Sequence, residues 1–253
     1  MRNVSILGIK VTSEPLAEVL NTIKDTLQKN EKKSLYICAS SVHGIIESQK
    51  DLELKKILNN AFINQPDGLP LVKMGRLLGE KKMVQIKGPE LFPAVCEMTS
   101  KMNVKHFFYG GKEGVADELA NKMTKIYPGL KLAGRYCPPF RSLGEHEKSN
   151  IINAINKSRA DIIWVGLSTP KQEKWIGEFY KKLKVNLIFS VGAAFDFHTE
   201  NIKFAPLWMQ KIGLEWFYRL ISEPKRLWKR YFKIIPSFVF LSLLQVTGLK
   251  TFR

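Results

Sequence analysis

The sequence predicts an α/β fold built on a Rossmann-like, mainly parallel sheet flanked by helices, with a C-terminal helical appendage. Two observations carry this. Short runs of β-branched and aromatic residues alternate with longer stretches of helical periodicity, the pattern of strands joined by crossover helices. After about residue 200 the alternation stops, and basic and aromatic residues interleave in segments punctuated by Pro206, Pro224 and Pro236. At 253 residues, 45% hydrophobic and 25% charged, the composition is ordinary for a globular protein and excludes wholesale disorder or a fibrous repeat. The length suits one such domain plus an appendage.

In order, strands are expected over residues 4–9, 34–39, 105–109, 130–136, 161–166 and 186–191. Helices are expected over 14–29, 41–60, 68–78, 89–102, 112–126, 144–156 and 170–183. Beyond the last strand, two or three short helices broken at the three prolines are expected, with a boundary near Asn201. This divides the chain into a Rossmann-like core over 1–200 and a basic, aromatic appendage over 201–253. The alternative is that the tail forms the last helical layer of one domain. Removing it is expected to leave a folded core.

The formal net charge of +17 points to an anionic partner: nucleic acid, an anionic membrane face or a phosphorylated substrate. Its distribution narrows the choice. From Asn201 onward there are ten Lys/Arg against Glu215 and Glu223, together with Trp208, Trp216 and Trp228. Basic and amphipathic aromatic residues in one stretch suit a membrane interface. The uncharged run 234–249, at about 1.5 Å per residue, reaches about 24 Å, short of a hydrocarbon core of roughly 30 Å, so it is expected to lie on a bilayer rather than cross it. Cys38, Cys96 and Cys137 are widely spaced free-thiol candidates, and the first residues carry no signal-peptide run, so a cytoplasmic protein, peripheral on the inner face of the membrane, is expected. No helix-turn-helix, RRM or KH signature supports a nucleic-acid partner.

In parallel sheets ligands collect beyond the carboxyl ends of strands, and four turns there carry candidate chemistry. Gly110-Gly111, ahead of Lys112-Glu113-Gly114, lets backbone approach phosphate oxygens near a helix N-terminus, or is simply a tight turn; its spacing is neither a Walker motif nor GxGxxG. In Pro66-Asp67-Gly68 the carboxylate either caps the helix behind it or takes a proton from an attacking sugar hydroxyl. Thr169-Pro170-Lys171-Gln172 reads as a capping box with Thr169 at N-cap, or as a helix start from which Lys171 and Gln172 face a ligand. Val191 to Asp196 ends the last strand with small residues and one carboxylate, suited to a close ligand or to close helix packing. His43, His106, His146 and His198 show no zinc spacing, and no DxD pair offers a divalent-ion bridge. No metal or other cofactor is expected, and a departing diphosphate would be offset by helix N-termini and by Lys/Arg of the tail.

Pro66-Asp67-Gly68, Gly88-Pro89-Glu90-Leu91, Thr169-Pro170-Lys171-Gln172-Glu173-Lys174-Trp175, Val191 to Asp196 and Gly213-Leu214-Glu215-Trp216-Phe217-Tyr218-Arg219-Leu220 together resemble the WecG/TagA/CpsF glycosyltransferases, glycosyltransferase family 26. The resemblance runs from about Val4 to Tyr231. It implies a GT-E type Rossmann-like fold and inverting transfer of a sugar from a UDP-sugar to a polyprenyl-diphosphate-linked sugar in cell-surface polysaccharide synthesis. It also implies that the appendage completes the site at the membrane. Asp67 matches the family's general base, Gln172 its active-site glutamine and Asp196 a pocket carboxylate. Arg219, Arg226 and Arg230 fall where the arginines of the appendage meet diphosphates. Where the best-studied members carry Thr-x-Asn, Ala39-Ser40-Ser41 stands, followed by Val42-His43-Gly44, which resembles a capsule or exopolysaccharide branch. Gln85 replaces an arginine and Glu90 an aspartate. Ser41 and Gln85 thus lie near donor or acceptor, and the donor implied is UDP-N-acetylmannosamine or another UDP-hexose. A non-catalytic sugar-nucleotide-binding protein and a basic nucleic-acid-binding protein are the alternatives, and the sequence is compatible with a homo-oligomer.

Overall fold

The computed structural model describes residues 1–252; Arg253, the end of the expected appendage, lies outside the described residues. The chain opens with a two-stranded antiparallel hairpin, β1 (Asn3–Ile6) and β2 (Ile9–Thr12). A six-stranded sheet follows, made of β3 (Leu35–Ser40), β4 (Ile63–Pro66), β5 (Lys105–Gly110), β6 (Lys131–Tyr136), β7 (Ile162–Gly166) and β8 (Leu187–Ser190). Its order is β4-β3-β8-β7-β5-β6, and every pair is parallel. The helices are α1 (Leu16–Lys29), α2 (Val42–Ser48), α3 (Leu52–Asn59), α4 (Leu69–Leu77), α5 (Gly88–Ser100), α6 (Val115–Ile126), α7 (Glu145–Ser158), α8 (Lys171–Phe179), α9 (Ala194–His198), α10 (Leu207–Ile212), α11 (Glu215–Ser222) and α12 (Pro224–Val246).

Successive strand residues point to opposite faces of the sheet, and each face has its own apolar cluster. Tyr36, Cys38, Phe107, Tyr109, Ile163, Val165 and Ile188 face the hairpin and α2, α3, α4, α7 and α8. Ile37, Phe108, Ile162, Trp164, Leu187 and Phe189 face α1, α5, α6 and α9. Covered on both sides, the central strands read as continuous apolar runs, which is why the sequence reveals them.

Four expectations need correction. The strand expected over 4–9 is a hairpin, turned at Leu7 (φ 49°) and Gly8 (φ 77°), both in the left-handed region that a two-residue turn of this hand requires. Leu7 tolerates it because the segment is held from outside: its N–H donates to Gln245 Oε1 at 2.8 Å, and its carbonyl accepts from Gln49 Nε2 at 2.9 Å. The helix expected over 41–60 is two, because Asp51 starts α3 by accepting from Leu54 N at 2.9 Å. The short run before Asp67 is a strand of its own, β4, buried throughout. Pro206 and Pro224 mark helix starts, but Pro236 lies inside the 23-residue α12.

The missing N–H of Pro236 costs α12 one helical bond. The helix continues because Leu227, Ile234, Phe238, Leu241 and Gln245 recur at helical spacing and dock on the core. Ile234 and Phe238 join the cluster under α2, and Gln245 bonds both Leu7 N and Ser5 O. The run 234–249 is therefore half spoken for by the protein: Ile234 and Phe238 belong to the core cluster, and Gln245 holds Leu7. Among the described residues no helix is long and apolar enough to cross a membrane.

Candidate active site

Because the sheet is parallel, the turns that follow β3, β4, β5, β7 and β8 open on the same edge. Those turns hold Ser41, Asp67, Gly110-Gly111, Thr169 to Gln172 and Asp196. The structure thus gathers residues that the sequence places up to 155 positions apart, from Ser41 to Asp196, along one edge of the sheet.

Asp67 follows β4, where Asp67 N donates to Ser40 O at 2.9 Å. Its carboxylate does not cap the helix behind it, since Gly68 is the N-cap of α4 and receives no side-chain bond. It turns instead to the start of α5, accepting from the N–H of its first residue, Gly88, at 2.8 Å. Gln85 Nε2 donates to the Asp67 carbonyl at 2.7 Å, so Gln85 braces this turn. Burial pushes the Asp67 carboxyl up to about 6; the Gly88 N–H opposes this, Glu215 adds to it, and Lys87 and Arg219 offset it. At neutral pH the group is ionised yet basic enough to accept a proton.

The other turns are more self-satisfied than the sequence suggests. Gln172 is 1% exposed, and its amide ties two strand ends together: Oε1 accepts from Gly192 N at 2.9 Å and Nε2 donates to Glu173 Oε1 at 2.9 Å. Where the sequence suggests a side chain presented from the helix start, the Gln172 amide is engaged within the protein. The capping box is corrected. α8 starts one residue later, with Pro170 at N-cap behind a cis Thr169–Pro170 peptide, and the Thr169 hydroxyl donates to Glu173 Oε1 at 3.1 Å. Lys171 is exposed. Gly110 (φ 127°) and Gly111 (φ 79°) are required by geometry, since a Cβ on Gly110 would lie 2.5 Å from Gly166 O. Gly111 N is bonded to Gly166 O at 3.1 Å, and α6 starts at Val115. Ser41 is the N-cap of α2, accepting from Gly44 N at 3.4 Å.

The appendage closes one side of the site. Lys87, immediately before α5, donates to Gln210 Oε1 at 2.8 Å and Glu215 Oε1 at 3.0 Å, so α10 and α11 grip the segment that supports Asp67. Sequence reasoning missed Lys87; its place next to Gly88-Pro89-Glu90 is the only signal it gives. Arg219 and Arg226 share a single carboxylate, Glu223, at 3.2 and 2.6 Å. Arg219 lies over the Phe197 ring at 5.7 Å, and its buried Nε has no partner. Arg230 is half-buried and makes no ion pair among the described residues. Burial raises the Asp196 carboxyl, while Lys112, Arg219 and Arg226 draw it down, which places Asp196 among these cations. The three arginines singled out in the sequence therefore form one cluster with an excess of positive charge, in which Arg219 acts on both Asp67 and Asp196.

The profile of the Glycosyl transferase WecG/TagA/CpsF family matches residues 4–251. The chain is 31% identical over 203 residues to the N-acetylglucosaminyldiphosphoundecaprenol N-acetyl-beta-D-mannosaminyltransferase of Bacillus subtilis (strain 168), covering 80% of this chain and 77% of that relative. It is 26% identical over 215 residues to the protein of the same description from Bacillus spizizenii, covering 85% and 81%. A match over nearly the whole chain, on a six-stranded parallel sheet with a C-terminal helical region, establishes that the protein belongs to the WecG/TagA/CpsF glycosyltransferase family.

Proposed function

We propose that the site transfers a hexose from a UDP-sugar, N-acetylmannosamine in the first instance, to a polyprenyl-diphosphate-linked sugar, with inversion at the anomeric carbon. The acceptor follows from the names of the two Bacillus relatives, which act on an N-acetylglucosaminyl diphospholipid. The observation that carries the reading is the charge count in the arginine cluster: Arg219 and Arg226 share the one carboxylate of Glu223 while Arg230 has no ion pair among the described residues, an excess that anionic diphosphates would offset.

In this mechanism Asp67 takes the proton of an acceptor hydroxyl as that oxygen bonds to the anomeric carbon of the donor. The bond from that carbon to the diphosphate oxygen breaks in the same displacement, releasing UDP, and attack from the opposite face inverts the centre. Arg219, within electrostatic reach of Asp67 and beside Arg226, stabilises the charge that gathers on the leaving diphosphate. The guanidiniums supply this charge without a metal ion. Gln172, Thr169 and Ser41 fix the turns that border the donor, and Gly110 and Gly111 allow the β5 and β7 ends to approach closely.

The lipid-linked acceptor brings the protein to a membrane surface, on its cytosolic face in this reading. Trp208 on α10, Phe217 and Ile221 on α11, and Trp228, Phe232 and Leu243 on α12 present exposed apolar side chains, and α12 also carries exposed Lys225 and Lys229. The test is UDP release from a panel of UDP-sugars on vesicles carrying the lipid-linked acceptor, with and without a chelator. UDP release that depends on acceptor and survives chelation supports the reading. UDP binding with no release from any donor would instead favour a sugar-nucleotide-binding role.

A further inference from the structure

Beside the arginine cluster a polar side chain of α2 is left without a hydrogen bond. His43, two residues after the α2 N-cap, is half-buried and makes no hydrogen bond among the described residues. The charged groups that bear on it are Arg230 and Lys233 of α12 and Glu47 of its own helix. Glu47 pairs with Lys233 at 3.8 Å and acts on Arg230 only through space, so Arg230 has no ion pair of its own beside the imidazole. A guanidinium without an ion pair and a ring without a hydrogen bond, one from α12 and one from α2, thus lie within electrostatic reach of each other where the two helices pack.

We infer that His43 is a further substrate-binding residue, its ring N–H donating to a non-bridging oxygen of a diphosphate held by Arg230 and Arg226. This rests on the diphosphate reading of those arginines. Burial and then the Arg230 charge push the His43 ring down to about 4, so at neutral pH it adds a hydrogen-bond donor without adding a further repelling cation. A bound diphosphate offsets Arg230 and raises the His43 ring from that value. A ring that only fills space between two helices has no reason to respond.

The experiment combines two readouts on the full-length protein, neither of which requires turnover. Calorimetric binding of UDP and of farnesyl diphosphate is compared for wild type, His43→Ala and His43→Gln, the last keeping an N–H donor. The His43 ring of the wild type is titrated by NMR with and without inorganic pyrophosphate. The expected results are an upward move of the ring titration with pyrophosphate, weakening of one ligand by about tenfold in His43→Ala, the loss of one hydrogen bond to a charged group, and recovery of most of it in His43→Gln. Weakening confined to UDP assigns the donor diphosphate; weakening confined to farnesyl diphosphate assigns the acceptor. Unchanged affinities in His43→Ala, or a ring titration indifferent to pyrophosphate, overturn the inference while leaving the arginine reading intact. Wild-type protein that binds neither ligand overturns both.

Discussion

Replacing Asp67 by Asn should separate activity from stability in opposite directions. The carboxyl moves from 3.8 to about 6 on folding, and at about 1.4 kcal/mol per pH unit its ionisation costs the folded state about 3 kcal/mol. The sign follows from the raised folded value. Below pH 4 the group is protonated in both folded and unfolded chains and no penalty exists; the penalty grows as pH rises through 6 and is complete above it. The Asn oxygen can still accept from Gly88 N, while its amide N–H groups need partners the site does not supply, which leaves a net gain of about 1–2 kcal/mol. At about 2–4 °C per kcal/mol, the variant should melt a few degrees higher than wild type at pH 8 and no higher at pH 4. Its transfer rate should fall by about 10² to 10⁴. Thermal melts at the two pH values, paired with UDP-release rates, provide the assay. A variant that is less stable at pH 8, or that turns over like wild type, would refute the argument that this carboxylate is held against its solvation in order to act as a base.

The wild-type kcat/KM should rise with pH through an apparent value near 6, set by Asp67, and then level off; a profile flat from pH 5 to 8 would detach Asp67 from the rate. In Gly88→Ala a Cβ would lie 2.9 Å from Val191 O, pushing α5 and its N–H away from Asp67, so kcat should fall by about tenfold or more with the circular dichroism spectrum retained. Phe238→Ala should lower stability by about 3–5 kcal/mol in urea melts, because Phe238 is 8% exposed in the cluster under α2. Phe232→Ser should leave the melt unchanged, since Phe232 is 81% exposed, and should weaken flotation with anionic liposomes; retention of full liposome binding would remove this face of α12 from the membrane contact.

The sequence makes the parallel sheet legible because a strand covered on both faces can afford few polar residues, and Tyr36 to Ala39 or Ile162 to Val165 can hardly be read otherwise. The site is partly legible for a related reason: in a parallel sheet the turns after the strands share an edge, so Ser41, Asp67, Gly110, Thr169 and Asp196 converge from topology alone. What stays hidden depends on distant partners. Leu7 in a left-handed conformation makes sense only with Gln245 bonded to it, and α12 runs through Pro236 only because Ile234 and Phe238 find the core. The Asp67 carboxylate looks like a helix cap in sequence, and its true partner, Gly88 N, lies 21 residues on. Thr169 and Gln172 match a capping pattern, yet Glu173, the next residue, takes up both side chains. Local pattern identifies which residues matter and misassigns what they touch.

The most direct measurement is the stereochemistry of a single turnover. Wild-type protein is incubated with an α-linked UDP-sugar and vesicles bearing polyprenyl-diphosphate-linked N-acetylglucosamine, following UDP by phosphorus NMR and the new linkage by proton NMR. The account predicts one UDP per new glycosidic bond and a β-linked product. An α-linked product would contradict attack by a hydroxyl activated at Asp67 in one displacement, and the absence of any product while UDP binds would contradict the role given to the site.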